Sequence, residues 1–369
     1  MSRRAERHAA CKRRRPHTRA MAFITHVDTA LPPHAIAQSV AAEAVARSCR
    51  LDGARSRTVR TLFERSRVSR RYSVLAPTGI GDSLPLTRTM ALYRRHALEL
   101  VLDASRRCLS ESGVDPRRID LVVTTSCTGM LLPSLAALVV EPLGLRRDVR
   151  RLPLTEVGCA GGASALARAH EFARAFPGAK ALVLAVELPS LTFQSDDAST
   201  GNLVASAIFG DGAAAALVQD GAGHGLEIVA THTAIFPNSL GDMGFELRDG
   251  GLHVVLSKDV PGIIARETPG VVREFLASAG VSASELGFYA LHAGGSKVLE
   301  ELERGLCLER AQTRVSWDVL RDHGNQSSAS VLFVLRELLR RGVPEGYGLL
   351  AAFGPGISVE LALLKWRSC

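Results

Sequence analysis

Apolar residues fall into two rhythms along this chain. Leu92, Leu98, Leu102 and Leu109 recur at helical spacing and predict one long amphipathic helix over 87–112, after shorter helical stretches at 36–48 and 58–67. Elsewhere the apolar residues run on without alternation. IDLVVTTS (119–126), AKALVLAVE (179–187), LEIVATHTAI (226–235), LGFYALHA (286–293) and YGLLAAFG (347–354) read as strands with no polar face, and FGDGAAAALV (209–218) turns into another. Such strands need cover on both sides, so a layered α/β architecture is expected. Helices are predicted near 134–141, over 262–279 and 295–305, in a short piece near 315–321, and from Asn325 onward. HVVLSKDVP reads as a strand and turn, and SVELALLKW closes the sheet.

The order of strand, reactive loop and helix occurs twice, around Cys127 and Cys159 and again around His292 and Asn325. This predicts two similar halves, 21–222 and 223–369, with the site between them. No low-complexity linker separates the halves, so they should share one interface.

Composition changes this picture little. A chain of 369 residues that is 46% hydrophobic can bury a large core. The formal charge of +8 suggests nucleic acid until it is located: residues 1–20 hold eight basic residues against Glu6 alone, and the remainder is close to neutral. We read 1–20 as a basic, disordered extension, with Met21 opening a more typical sequence, and expect no nucleic-acid partner. No apolar run approaches the roughly 18 residues of a membrane span, nor does the N-terminus carry a secretory core. A soluble, cytoplasmic protein is expected. The seven cysteines are odd in number and widely spread, without a CxxC pair, which supports neither a disulfide framework nor a metal site.

The candidate chemistry centres on TEVGCAGGASALARA (155–169). Cys159 stands where a helix should begin, and exposed N–H groups with the positive end of a helix dipole favour thiolate there. Free cysteine is as readily a small buried apolar residue. His292 ends an apolar strand beside Gly294 and Gly295, and histidine has the pKa to manage a thiol's proton. Asn325 follows Gly324 at a predicted helix start. That suits an N-cap, and it equally suits an amide donor to a developing oxyanion or enolate.

In combination, VGCAGG, FGDGAAA, ALHAGG, HGNQSSAS and AAFGPGISVE match, in order and spacing, the motifs of the type III polyketide synthases. The chain resembles this chalcone-synthase-like branch of the thiolase superfamily from about 21 to 366, with bacterial alkylpyrone and alkylresorcinol synthases nearest in character. The resemblance implies a pseudo-duplicated thiolase-like α-β-α-β-α fold with Cys159 as nucleophile of a Cys159–His292–Asn325 triad. It implies Phe209 as a gate between CoA tunnel and cavity, a cavity bordered by Leu132, Thr192, Ala205, Val254, Ser327 and the Gly354–Pro355–Gly356 loop, and CoA contacts from Arg65, Arg67, Gly294, Gly295 and Lys297. Acyl-CoA and malonyl-CoA would be the substrates of a homodimer, with no metal or other cofactor. Val254 departs from the pattern, standing where plant chalcone synthases place a second gatekeeping phenylalanine. So does Pro189, where a small polar residue or cysteine is expected. Cys127 has a counterpart near the cavity. The alternative on the same triad is a β-ketoacyl carrier-protein synthase III-like condensing enzyme; a Cys-His-Asn hydrolase and an inactive binding module are further rivals.

Overall fold

A computed structural model describes residues 21–79, 84–220 and 225–366 of the chain. The extension at 1–20 and the junction at 222–223 lie outside the described residues. The continuous apolar stretches become strands of one nine-stranded sheet. Its order is Leu286–Leu291, Gly346–Gly354, Ser358–Trp366, Leu226–Ile235, Ala22–Ala30, Gly212–Asp220, Lys180–Glu187, Leu121–Thr125 and Arg150–Leu154. Lys180–Glu187 shows why these stretches lack a polar face. Ala181, Val183 and Ala185 point into one core, while Leu182, Leu184 and Val186 point into a second. The 27-residue helix Leu86–Ser112 covers the second core with Tyr93, Ala97, Val101 and Ala104.

The repeat is visible in strand direction. Leu121–Thr125 runs parallel to Lys180–Glu187, which is antiparallel to Gly212–Asp220, itself antiparallel to Ala22–Ala30. The same sequence of pairings links Leu286–Leu291, Gly346–Gly354, Ser358–Trp366 and Leu226–Ile235. The two quartets join where Ala22, Phe23 and Ile24 pair with Ile228, Glu227 and Leu226. In each quartet a buried helix precedes the second strand: Gly161–Ala175 in the first, Ser330–Arg341 in the second. Both inner helices touch strands of both quartets, and Leu86–Ser112 on one side with Val260–Ser278 and Arg310–His323 on the other form the outer layers. This is the expected α-β-α-β-α order. Among the described residues no helix is long and apolar enough to cross a membrane.

Some local expectations are corrected. The helix expected from Asn325 begins only at Ser330, after a single 3-10 turn at Ser327–Ala329. Asn325 stays extended because its backbone pairs with Phe209 and its side chain holds the following turn. The short helix near 315–321 is Arg310–His323, started by a reciprocal Glu309–Gln312 capping box. The helix near 134–141 is confined to Leu135–Leu138. Two strands of the nine-stranded sheet carry no long apolar run. Arg150–Leu154 is an edge strand that leaves Arg150, Arg151 and Pro153 exposed, and Ala22–Ala30 mixes Thr25, His26 and Asp28 among its apolar residues.

Candidate active site

Cys159 sits in the 3-10 turn Gly158–Ala160 that leads into the inner helix Gly161–Ala175. The corresponding turn of the other half is Ser327–Ala329, and the two turns are packed together. A side chain at 162 would lie 2.2 Å from the Ser328 carbonyl, and one at 161 would lie 2.2 Å from Thr125 Oγ1, so only glycine permits this approach. Two inner helices thus direct their N-terminal ends at one locus, where their dipoles favour negative charge. Cys159 Sγ donates to Ser327 Oγ at 3.3 Å.

Burial works against the thiolate. It pushes the Cys159 thiol up to about 12, while hydrogen bonds from Ser327 and Asn325 pull in the other direction. Burial thus opposes the thiolate that the position at a helix start favours. His292 is the second residue singled out by the sequence. It is 2% exposed, continues the parallel ladder through its N–H to Ala351 O at 2.9 Å, and is held down to about 4 by burial. Its Nδ1 is sealed without a hydrogen-bond partner among the described residues. A methyl group at 294 would stand 3.0 Å from its Cδ2 and 3.3 Å from its Nε2, so Gly294 lets the loop lie close against that edge of the ring.

Asn325 completes the cluster in a fixed orientation. Its Oδ1 accepts from Ser327 N at 2.7 Å and Ser330 Oγ at 3.0 Å, which assigns the other end of the amide as donor. Nδ2 donates to Gly294 O at 3.1 Å, tying Asn325 to the loop just beyond His292. Its second hydrogen remains for the sulfur or for a substrate oxygen beside it. The backbone of Asn325 also holds Phe209. Asn325 N donates to Ile208 O at 2.8 Å, and Gly210 N donates to Asn325 O at 3.0 Å. Arg71 fixes Phe209 from the other side, donating to its carbonyl at 2.9 Å and to the carbonyls of Ser206 and Ala207. This buried cation caps the negative end of the helix Thr200–Ile208, and burial lowers its pKa to about 10, which leaves it charged at neutral pH.

Glu187 escaped the sequence reading. It is fully buried at the end of Lys180–Glu187, accepting from Thr128 Oγ1 at 2.7 Å, Ser328 Oγ at 2.5 Å and the amides of Cys127 and Thr128. The carboxyl clamps the loop after Leu121–Thr125 to the turn after Asn325, and burial raises its pKa against these hydrogen bonds. A lone acid closing an apolar run was the available signal. Cys127 lies in the same network, with Sγ 3.4 Å from Ser327 Oγ, and burial beside Glu187 drives its thiol well above the ordinary range.

Cys159 opens on a cavity of about 130 Å³ bordered also by Phe209, Val254, Thr192, Ala205, Ser327, Pro189 and Cys127. Of the loop at 354–356 only Pro355 reaches it. Gly354 is turned against Val157 O and Ala160, and Gly356 against Leu240, which corrects their expected place on the wall. Leu132 is a second correction. It does not border the cavity of its own chain but projects from it 89% exposed, next to Met130 at 70%. His292 and Asn325 are both 2% exposed and do not border the cavity. Arg65, Arg67 and Lys297 are exposed and outside every ion pair among the described residues. Ser296 Oγ donates to Arg65 O at 3.1 Å and so draws the start of helix Ser296–Gly305, with Gly295 before it and Lys297 within it, against the segment carrying Arg65 and Arg67.

Comparison with known proteins agrees with this arrangement. Residues 9–223 match the family described as "Chalcone and stilbene synthases, N-terminal domain", and residues 227–367 match its C-terminal domain. A 1,3,6,8-tetrahydroxynaphthalene synthase of Streptomyces peucetius subsp. caesius is 37% identical over 93% of each chain. An α-pyrone synthesis polyketide synthase-like protein of Mycobacterium tuberculosis is 30% identical over 92% of this chain and 90% of its own. Among solved structures, the tetrahydroxynaphthalene synthase of Streptomyces coelicolor A3(2), described as a bacterial type III polyketide synthase, superposes with a TM-score of 0.90 at 31% identity. It covers 94% of this chain and 100% of that one. With both halves matched, this chain belongs to the chalcone and stilbene synthase family and is a type III polyketide synthase.

Proposed function

We propose that this enzyme loads a medium- or long-chain aliphatic acyl-CoA onto Cys159, extends it with malonyl-CoA and releases an alkylpyrone or alkylresorcinol. The observation that carries the reading is the cavity beside the sulfur, whose walls include Val45, Phe193, Met243, Val254 and Leu256. An aliphatic tail gains roughly 0.8 kcal/mol for each methylene buried there. The name of the Mycobacterium tuberculosis relative, a protein of α-pyrone synthesis, is in keeping with it.

In this mechanism Cys159 attacks the starter thioester as its proton passes to His292, and His292 returns that proton to the departing CoA sulfur. Malonyl-CoA follows. Asn325 Nδ2, with His292 beside it, holds the thioester oxygen as carbon dioxide leaves, and the resulting enolate attacks the Cys159 thioester, breaking its C–S bond, expelling the Cys159 thiolate and leaving the lengthened chain on CoA. Phe209 offers an apolar face that favours the decarboxylated product over the carboxylate. Arg65, Arg67 and Lys297 would meet the CoA phosphates, with Gly294 and Gly295 letting the pantetheine arm pass close to the backbone. No metal or further cofactor takes part. Free cysteines at 49, 108, 127, 159 and 307 suit a cytoplasmic location.

The test is a ladder of acyl-CoAs incubated with malonyl-CoA and the products weighed. Extended pyrones or resorcinols from aliphatic starters are expected. A single product made from malonyl-CoA alone would overturn the starter assignment and leave the family unchanged.

A homodimer is the second part of the proposal. Met130 and Leu132 project from the loop after Leu121–Thr125, and two large apolar side chains this exposed on one short loop are suited to burial against a second copy. Analytical ultracentrifugation at micromolar concentration should give a dimer. A monomer there would refute it.

A further inference from the structure

The helix Thr200–Ile208 ends at Phe209, and the last carbonyls of a helix have no donor within it. Arg71 meets that need: its Nη1 donates to Ser206 O and Phe209 O, and its Nη2 to Ala207 O at 2.7 Å. What holds Arg71 in turn is Gln38, the first residue of the helix Gln38–Ser48. Gln38 Oε1 accepts from Arg71 Nη2, which orients the amide and leaves Nε2 as donor. Nε2 lies 2.9 Å from Ala207 O, 2.8 Å from Ser66 Oγ and 3.2 Å from Phe63 O. The Gln38 backbone N–H donates to Ser69 O at 3.0 Å. Both side chains are buried, so water does not replace a bond that either loses.

One amide therefore joins two segments. The first is the end of the helix Gly53–Arg65 with the turn after it, which is stiff in its own right: Ser66 Oγ donates to Phe63 O at 2.6 Å and accepts from Val68 N at 3.2 Å. The second is the end of Thr200–Ile208, whose cap residue is Phe209. We propose that Gln38 is a positioning residue for malonyl-CoA decarboxylation, holding Phe209 in place through Arg71 and the Ala207 carbonyl. Phe209 borders the cavity beside Cys159, and Asn325 pins its backbone from the opposite side. A ring fixed by main-chain bonds on two sides keeps its place only while both sides hold. Without Gln38, Arg71 loses the acceptor that anchors it to the Phe63–Ser69 segment, and the helix end can shift against Asn325. A misplacement of about 1 Å near reacting groups can cost on the order of 10²-fold. The inference rests on the reading of Phe209 as the apolar face that favours loss of carbon dioxide.

The experiment is a double-mutant cycle read as carbon dioxide released from malonyl-CoA, with acyl loading of Cys159 measured alongside. Gln38→Leu removes the clamp at nearly constant size. Gln38→Glu keeps the shape and the acceptor for Arg71 and loses the donors, so it carries the test should Gln38→Leu fail to fold. Gln38→Leu should lower kcat for carbon dioxide release by about tenfold to a hundredfold, and Gln38→Glu by less. Loading should be nearly intact, because no hydrogen bond of the Gln38 side chain reaches Cys159, His292 or Asn325. In a Phe209→Ala background, itself impaired, either substitution should cost less than about twofold, since the ring through which Gln38 acts is gone. Losses that multiply in full in that background, equal losses of loading and carbon dioxide release, or wild-type kcat in the folded Gln38 variants each overturn the inference. Decarboxylation at the wild-type rate by Phe209→Ala would remove the gate reading itself, and this inference with it.

Discussion

Cys159→Ala is expected to abolish transfer of a labelled acyl group to the enzyme, a loss on the order of 10⁴-fold or more, while the protein stays folded. The substitution removes one sulfur and one hydrogen bond to Ser327 Oγ, worth about 1 kcal/mol, and Ser327 keeps its contact with Cys127. Circular dichroism should be unchanged. Acyl-enzyme detected in the variant by mass spectrometry would mean that another group is the nucleophile, with Cys127 the first to examine. The pH profile of loading by the wild type follows from the same site. Burial holds the Cys159 thiol up at about 12 and His292 down at about 4, so between these values both groups are neutral and the imidazole is able to accept a proton. As pH falls through about 4, His292 becomes protonated and that ability is lost. The acid limb of kcat/KM should therefore lie near 4, well below the roughly 6.5 of an unperturbed histidine. A limb near 6.5 would show that burial does not govern the ring.

Much of this fold could be read from the letters because the strands are buried on both faces. Between its two end residues a run such as Lys180–Glu187 has nowhere to place a polar side chain, so sequence and structure say the same thing there. Ala22–Ala30 lies at the centre of the sheet and still carries Asp28, which is tolerated because Arg107 and Arg336 reach it from two helices. A single strand's pattern does not contain that compensation. The three residues proposed as a triad could be singled out one by one, each near the end of an element. Their geometry could not, because Asn325 is oriented by Ser327, Ser330 and Gly294, which lie on different segments. The same holds for Leu132 and Gln38. Which way a loop residue points, and which segments one amide joins, are set by contacts between distant positions.

Asn325→Ala is expected to leave acyl loading nearly intact and to depress malonyl-CoA decarboxylation by about 10²–10³-fold, the usual loss when one donor to a developing oxyanion is removed. The reason is the fixed amide. Nδ2 points toward the sulfur and the space beside it, where the enolate oxygen gathers charge, whereas the loading step draws chiefly on Cys159 and His292. The side chain has a second duty, however, because Oδ1 holds Ser327 N and Ser330 Oγ at the start of the inner helix Ser330–Arg341. Alanine removes both functions, and each hydrogen bond lost from the turn is worth about 1 kcal/mol. Asn325→Asp separates them. Aspartate keeps two acceptor oxygens for the turn, loses the donor, and places negative charge where the enolate forms. Both variants should therefore lose decarboxylation, measured as carbon dioxide released from malonyl-CoA. Both variants lose the bond to Gly294 O, and only alanine also loses the two bonds that hold the turn. Decarboxylation retained by Asn325→Asp would show that the residue serves the turn and not the enolate, and equal losses of loading and decarboxylation in Asn325→Ala would end the division of labour assigned to the triad.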